Sequence, residues 1–209
     1  MKKCVSLVAL AGFAVAANAS VIPDRSTLQS ILGGGGTLED FETLDVPQNG
    51  QIFDSSGLLN STSTFAGFGP GLVEPGVDYR SASFWWNGNG YFNLNTRTLG
   101  DGSGWRGFAI TMEYTQNTTA MGIDMQGYEG YSVAGTASVY DTSNNLIEVV
   151  NVNGGFFGYE HGAGIGSVVV SADIDGYIMI DNHEYGVPAP STALALALVG
   201  VGGALRRRR

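Results

Sequence analysis

Two adjacent tryptophans, Trp85 and Trp86, come first among the residues that could do chemistry. Neighbouring side chains of a strand point to opposite faces, so one indole is expected in the core and the other at the surface. A surface indole beside Asn87, Asn89 and Tyr91 would form a platform, its flat face taking the apolar face of a sugar ring while amides take the hydroxyls. Packing of the second indole beneath a loop is the competing reading. Trp105 is expected to pack at the start of its own strand.

Catalytic chemistry finds less support. Gly130-Tyr-Ser132-Val-Ala134 approximates a nucleophile elbow, but it lacks the last glycine and opens a strand instead of a helix. His161 and His183 stand 22 residues apart, without the spacing of a metal pair. Asp173-Ile-Asp175-Gly176 lacks the third acidic position and the distant glutamate of a calcium loop, and the glycines at 67–71 lack the lysine and helix of a nucleotide loop. Nineteen carboxylates place some pair at a glycosidase separation without nominating one.

The elements that must position these residues are mostly short strands. Residues 24–32 predict one helix, with Asp24 or Ser26 as its cap, Leu28, Ile31 and Leu32 as its apolar face, and Gly33 as its stop. Residues 37–44 predict a strand burying Leu38 and Phe41. The stretch 51–75, rich in Ser, Thr and Gly, reads as loop with short strands. Residues 77–86 resume strand character, Asn87-Gly88-Asn89-Gly90 predicts a hairpin into 91–98, and a second turn is expected at 100–104. Period-two alternation marks Phe108, Ile110, Met112 and Tyr114, and again Met121, Ile123 and Met125. Residues 131–140 and 146–152 form a further pair around an Asp/Ser/Asn loop, and Phe156 and Phe157 precede strands at 165–172 and 177–185.

This pattern predicts an all-β antiparallel sandwich, jelly-roll-like, with one short N-terminal helix and a C-terminal hydrophobic helix. A single domain over 20–186 is long enough to bury a real core.

Both ends read as targeting segments. Lys2 and Lys3 precede an apolar run at 5–17, and Ala17-Asn18-Ala19 presents small residues to a signal peptidase, so 1–19 is expected to be cut away between Ala19 and Ser20. Cys4, the single cysteine, falls within that leader, which leaves the rest without disulfides. Between the two ends only Arg25, Arg80, Arg97 and Arg106 oppose nineteen acids, a net charge of −15. Such a surface repels a phosphate backbone, which excludes nucleic acid as a partner.

The final stretch, 187–209, has three parts: Pro188-Ala189-Pro190, an apolar run at 193–205, and Arg206, Arg207, Arg208 and Arg209. An arginine cluster after an apolar run stays on the cytoplasmic side of a membrane. As a helix the run covers about 20 Å against a hydrocarbon core of about 30 Å, so a transient anchor is expected. This layout resembles the PEP-CTERM sorting signal of exported bacterial proteins, with Ala189 in the place of the usual glutamate. The resemblance implies recognition and cutting by an exosortase-type enzyme.

An early Phe41-Glu42, a late Phe156-Phe157-Gly-Tyr-Glu160 and a closing Ile180-Asp-Asn-His-Glu-Tyr-Gly186 resemble the β-sandwich domains that PEP-CTERM proteins carry and, more distantly, carbohydrate-binding jelly rolls. That resemblance implies first and last strands side by side and a structural calcium shared by Glu42 and Asp181. Asp40, Asn182 or backbone carbonyls would complete its oxygens; plain hydrogen-bonded strand ends are the alternative.

The expected protein is thus an exported, non-enzymatic sandwich at the cell surface or in an extracellular matrix, binding polysaccharide or serving structurally. A glycan hydrolase or lyase, and a surface-layer or filament subunit pairing through edge strands, are the alternatives.

Overall fold

The computed structural model describes residues 19–91, 94–102, 109–127, 134–173 and 178–188. Within them the chain is an antiparallel sandwich of two sheets. The first half supplies β1 (Ala19–Ile22), α1 (Arg25–Leu32), β2 (Thr37–Glu39), β3 (Gln51–Asp54), β4 (Leu58–Leu59), β5 (Val77–Arg80), β6 (Phe84–Asn87) and β7 (Thr98–Asp101). The second half supplies β8 (Ala109–Tyr114), β9 (Ala120–Gln126), β10 (Ala134–Asp141), β11 (Leu146–Asn153), β12 (Gly155–His161), β13 (Ile165–Ala172) and β14 (Met179–Gly186). The larger sheet runs β1-β12-β9-β14-β7-β6-β3, with β2 also paired to β14; the smaller runs β11-β10-β13-β8-β5-β4.

Alternation explains the layers. Ile110 and Met112 of β8, Ala137 and Val139 of β10, and Val168 and Val170 of β13 face Phe84, Trp86, Leu99, Ile123 and Ile180 of the other sheet in one continuous core. The predicted alternation holds over 109–126, Phe108 lying outside the described residues, and the apolar centre of the last strand is buried on both faces at Ile178, Met179 and Ile180.

The helix forms where its signals place it. Asp24 caps it by accepting the Thr27 amide at 2.8 Å, and Gly33 ends it in the left-handed region at φ 57°. Leu28, Leu32 and Ile31 pack with Ile22, Ala120 and Phe156 on the outer face of the larger sheet. A β-carbon on Gly122 would fall 2.6 Å from the Phe156 ring and 2.7 Å from Leu28, so glycine is what lets α1 lie this close. Arg25 fastens the helix by pairing with Asp124 at 2.9 Å and Glu184 at 3.4 Å, and by donating to the Asn182 carbonyl at 2.7 Å.

Several expectations are corrected. Residues 37–44 hold only three strand residues, because Phe41 takes φ 54° and breaks the alternation; Leu38 is 47% exposed and Glu39 is buried in its place. Residues 77–86 are two strands, since the chain crosses between sheets at 81–83. Gly100 lies inside β7 and not in a turn, and the strand expected to begin at 91 begins at Thr98. The chain at 155–161, unassigned by its sequence, is the seven-residue strand β12. Among the described residues no helix is long and apolar enough to cross a membrane; the expected C-terminal helix lies outside them.

Candidate functional site

β6 enters between β3 and β7, and its four residues divide between the faces as strand geometry requires. Phe84 and Trp86 point inward. Trp86 is fully buried, with Nε1 donating to the Phe41 carbonyl at 2.8 Å and edge contacts to Phe41 and Phe65. Trp85 points outward and is partly exposed. The expectation of opposite faces holds, and it removes Trp86 from any binding surface.

Trp85 has an aromatic partner that the sequence did not suggest. Register sets Phe53 of β3 directly opposite it, and Phe53 is 51% exposed. Both rings close over β7: a β-carbon on Gly102 would lie 2.9 Å from Phe53 Cε2 and 3.1 Å from Trp85 Cδ1. Phe53 and Trp85 therefore form a two-ring patch on the outer face of the larger sheet, beside its β3 edge. The helix covers the opposite end of that face, over β9 and β12.

The polar residues beside the patch are occupied. Asn87 is 1% exposed; its Oδ1 accepts Gln51 Nε2 at 2.8 Å and its Nδ2 donates to Thr98 Oγ1 at 3.1 Å. Tyr91 donates its hydroxyl to Gln51 Oε1 at 3.3 Å. Asn87 is thereby corrected from a ligand-facing amide to a buried link that fixes β3, β6 and β7 together. Tyr91 and Gln51 stay at the margin, and Trp105 lies outside the described residues.

β2, the first strand after the helix, lies beside the last, β14, which draws Glu42 and Asp181 toward one place, whereas the first strand, β1, pairs with β12 at the edge. Thr96 donates to Glu42 Oε1 at 3.0 Å, while Asp181 Oδ2 is buried without a hydrogen-bond partner. Glu42 Oε1 also takes the Arg97 amide at 2.9 Å, its Oε2 faces the Arg97 guanidinium at 3.2 Å, and Arg97 reaches on to Asp45 at 3.0 Å. The guanidinium thus supplies the positive charge that a calcium ion would bring. Asp40 caps the Glu42 amide at 3.1 Å, and Asn182 gives its side-chain amide to Asp124 at 3.0 Å. Among the described residues no three His, Cys, Asp or Glu side chains converge to hold a metal. This arrangement does not fit a calcium shell.

Asp181 is the unusual member. It is 1% exposed, and Oδ1 accepts the Asn182 amide at 2.7 Å. Burial pushes its carboxyl up to about 6 against the opposing pull of Thr96 and Asn182, with the charges of Asp124 and Glu42 adding to the rise. A bulge at Asn182, φ 46°, resets the alternation of β14, so Ile180, His183 and Tyr185 face the core while Asp181 and Glu184 face away.

His183 is fully buried between two hydroxyls, Tyr79 at 2.8 Å from Nδ1 and Tyr114 at 3.0 Å from Nε2. Burial lowers its pKa to about 3 and keeps the ring neutral, so one tyrosine donates to it and the other accepts from it. Glu39 is also enclosed, accepting the Phe41 and Glu74 amides at 2.7 and 2.6 Å. These groups join the sheets from within. The serine of the elbow-like sequence lies outside the described residues.

Ala19 and Ser20 open β1, where Ser20 donates to Glu160 at 2.8 Å; Pro188 is exposed beyond β14, and Ala189, Pro190 and Arg206 to Arg209 lie outside the described residues. No family model and no curated protein matches the chain. Among solved structures, the K2 cleaved adhesin domain of Lys-gingipain aligns with 73% of this chain and 99% of its own length, at 12% identity and a TM-score of 0.33.

Proposed function

We propose that this chain is an exported, non-enzymatic glycan-binding sandwich, presented at the cell surface or in an extracellular polysaccharide matrix. The single observation that carries the binding half is the Phe53–Trp85 patch. Two apolar rings open to solvent on a sheet face suit the C–H faces of sugar rings. Since the adjacent amides are already paired, stacking supplies most of the attraction and hydrogen bonding only orientation.

The non-enzymatic half is supported by where the titratable groups lie. Among the imidazole and carboxyl groups of the described residues, His183, Glu39 and Asp181 carry strongly displaced pKa values, and all three are enclosed, whereas a general acid or base must reach its substrate. The strand orders β7-β14-β9-β12 and β8-β13-β10-β11 interleave as in a jelly roll, and we read the last eight strands as one.

For the export half we rest on the two ends of the sequence: signal peptidase acts before Ser20, and an exosortase-type enzyme releases the chain from a transient membrane anchor at the Pro188-Ala189-Pro190 tail. Intact mass of the protein from its native host is expected to show a species that starts at Ser20 and lacks Arg206 to Arg209. Replacing Pro188 and Pro190 by alanine should abolish that trimming. An untrimmed chain retained in the membrane would contradict the sorting reading. The binding half is tested by polysaccharide retention of Phe53→Ala and Trp85→Ala variants.

A further inference from the structure

The smaller sheet ends on an open strand. β11 pairs with β10 along one side, and among the described residues no strand pairs with its other side. It spans eight residues, long for an edge, and holds no proline and no lysine; its protection is one acid, Glu148, and one bulge, at Ile147. A bulge at Ile147 turns Leu146 and Val149 to the same outer face, where they are 54% and 50% exposed. Along the inner side of this edge, a cleft of about 160 Å³ opens between β11 and β1, lined by Val21, Val150, Val152 and Phe157 together with Asn151 and Asn153.

Charge indicates what can come here. The chain is strongly acidic, so two copies repel over most of their surface. From residue 142 to residue 159, however, Glu148 is the only charged side chain, and its carboxylate accepts the Tyr159 hydroxyl at 2.9 Å. This is the neutral stretch through which like-charged copies can approach. The strand is also self-complementary. In an antiparallel pairing that keeps both sandwiches on one side of a continuous sheet, residues facing the same way must meet. Centring that pairing on Val149 sets Val149 against its own copy and Glu148 against Val150, so over residues 148–150 the faces match and no like charges oppose each other, the bulge at Ile147 ending the matched stretch.

We propose that β11 is a dimerisation edge, through which two copies of this chain join antiparallel into one twelve-stranded sheet, six strands from each. The pairing gives the open backbone groups of β11 partners in the other copy and so removes the unpaired edge of both. The proposal rests on the β11 edge and stands apart from the Phe53–Trp85 patch.

Sedimentation velocity of the purified full-length chain over a concentration series tests it. A reversible dimer is expected, and Val149→Lys, which places two ammonium groups face to face, should raise its dissociation constant at least about tenfold. Val149 is exposed, so this variant should keep the wild-type circular dichroism and melting midpoint. With Cys4 replaced by serine, Val149→Cys should form a disulfide-linked dimer on mild oxidation, whereas Asn117→Cys, at another exposed position, should not. A chain that stays monomeric at every concentration, or a dimer that Val149→Lys leaves intact and Val149→Cys fails to link, would overturn the proposal.

Discussion

Trp86→Ala should cost about 3–5 kcal/mol, the range for truncating a large buried aromatic side chain. Trp86 is fully enclosed, meets Phe41 and Phe65 edge-on at 5.8 and 5.4 Å, and holds the Phe41 carbonyl through its indole N–H. The truncation leaves a cavity between the sheets and a buried carbonyl without its donor. For a domain of this size the melting midpoint should fall by on the order of 10 °C. Trp85→Ala, one residue away, should cost far less, because Trp85 is partly exposed on the outer face. Thermal melts of the two variants side by side read the strand's orientation directly; equal losses would contradict it.

Asp181→Asn should make the protein more stable at neutral pH. The carboxyl titrates near 6 in the fold and near 3.8 in the open chain, so between these values the folded state binds the proton more tightly. Stability from this group is full below about 3.8 and is lost as pH rises through 6; the ionised form then costs about 3 kcal/mol. Asparagine keeps the oxygen that accepts the Asn182 amide and removes the buried charge facing Asp124 and Glu42. A gain of roughly 1–3 kcal/mol is expected at pH 8, shrinking toward zero at pH 4, in denaturant melts at both pH values. Glu39, raised from 4.5 to about 7 by burial, contributes a slope of the same sign and persists in the variant. Calcium liganded by Asp181 would reverse the outcome: the wild type would be stabilised by calcium, and the asparagine variant would lose stability at pH 8.

The parts of the fold that were legible in the sequence are those with long, unbroken alternation. β8, β9, β10 and β13 each run six to eight residues, enough for period two to show, and Asp24 and Gly33 mark the helix by local chemistry alone. What stayed hidden depends on single backbone angles or on contacts between distant segments. Phe41 at φ 54° exchanges the expected burial of Leu38 for that of Glu39, and Asn182 at φ 46° shifts the phase of β14. The Phe41 angle does not follow from residue type, since aromatic side chains seldom take the left-handed region; asparagine takes it more readily, as Asn49 and Asn144 also do, but residue type alone does not single out Asn182 within its strand.

The candidate site was legible by half. Two adjacent indoles in a strand require one to face outward, but only register selects Trp85. Phe53 stands in a four-residue strand inside a stretch rich in Ser, Thr and Gly, too short for periodicity, and only pairing of β3 with β6 brings it to Trp85. Asn87 reads as a ligand-facing amide by its neighbours in sequence and is instead enclosed by Gln51, Thr98 and Met179, from three other strands.

Affinity electrophoresis through a panel of soluble neutral and acidic polysaccharides tests the central claim most directly, comparing wild type with Phe53→Ala, Trp85→Ala and the double variant. At least one polysaccharide should retard the wild type, each single variant should weaken that retardation by roughly tenfold, equivalent to about 1.4 kcal/mol of lost ring contact, and the double variant should migrate as if no glycan were present. Retardation that survives loss of both rings, in variants that keep the wild-type melting midpoint, would contradict the account and move the binding surface elsewhere. Absence of retardation by every polysaccharide would contradict glycan binding itself.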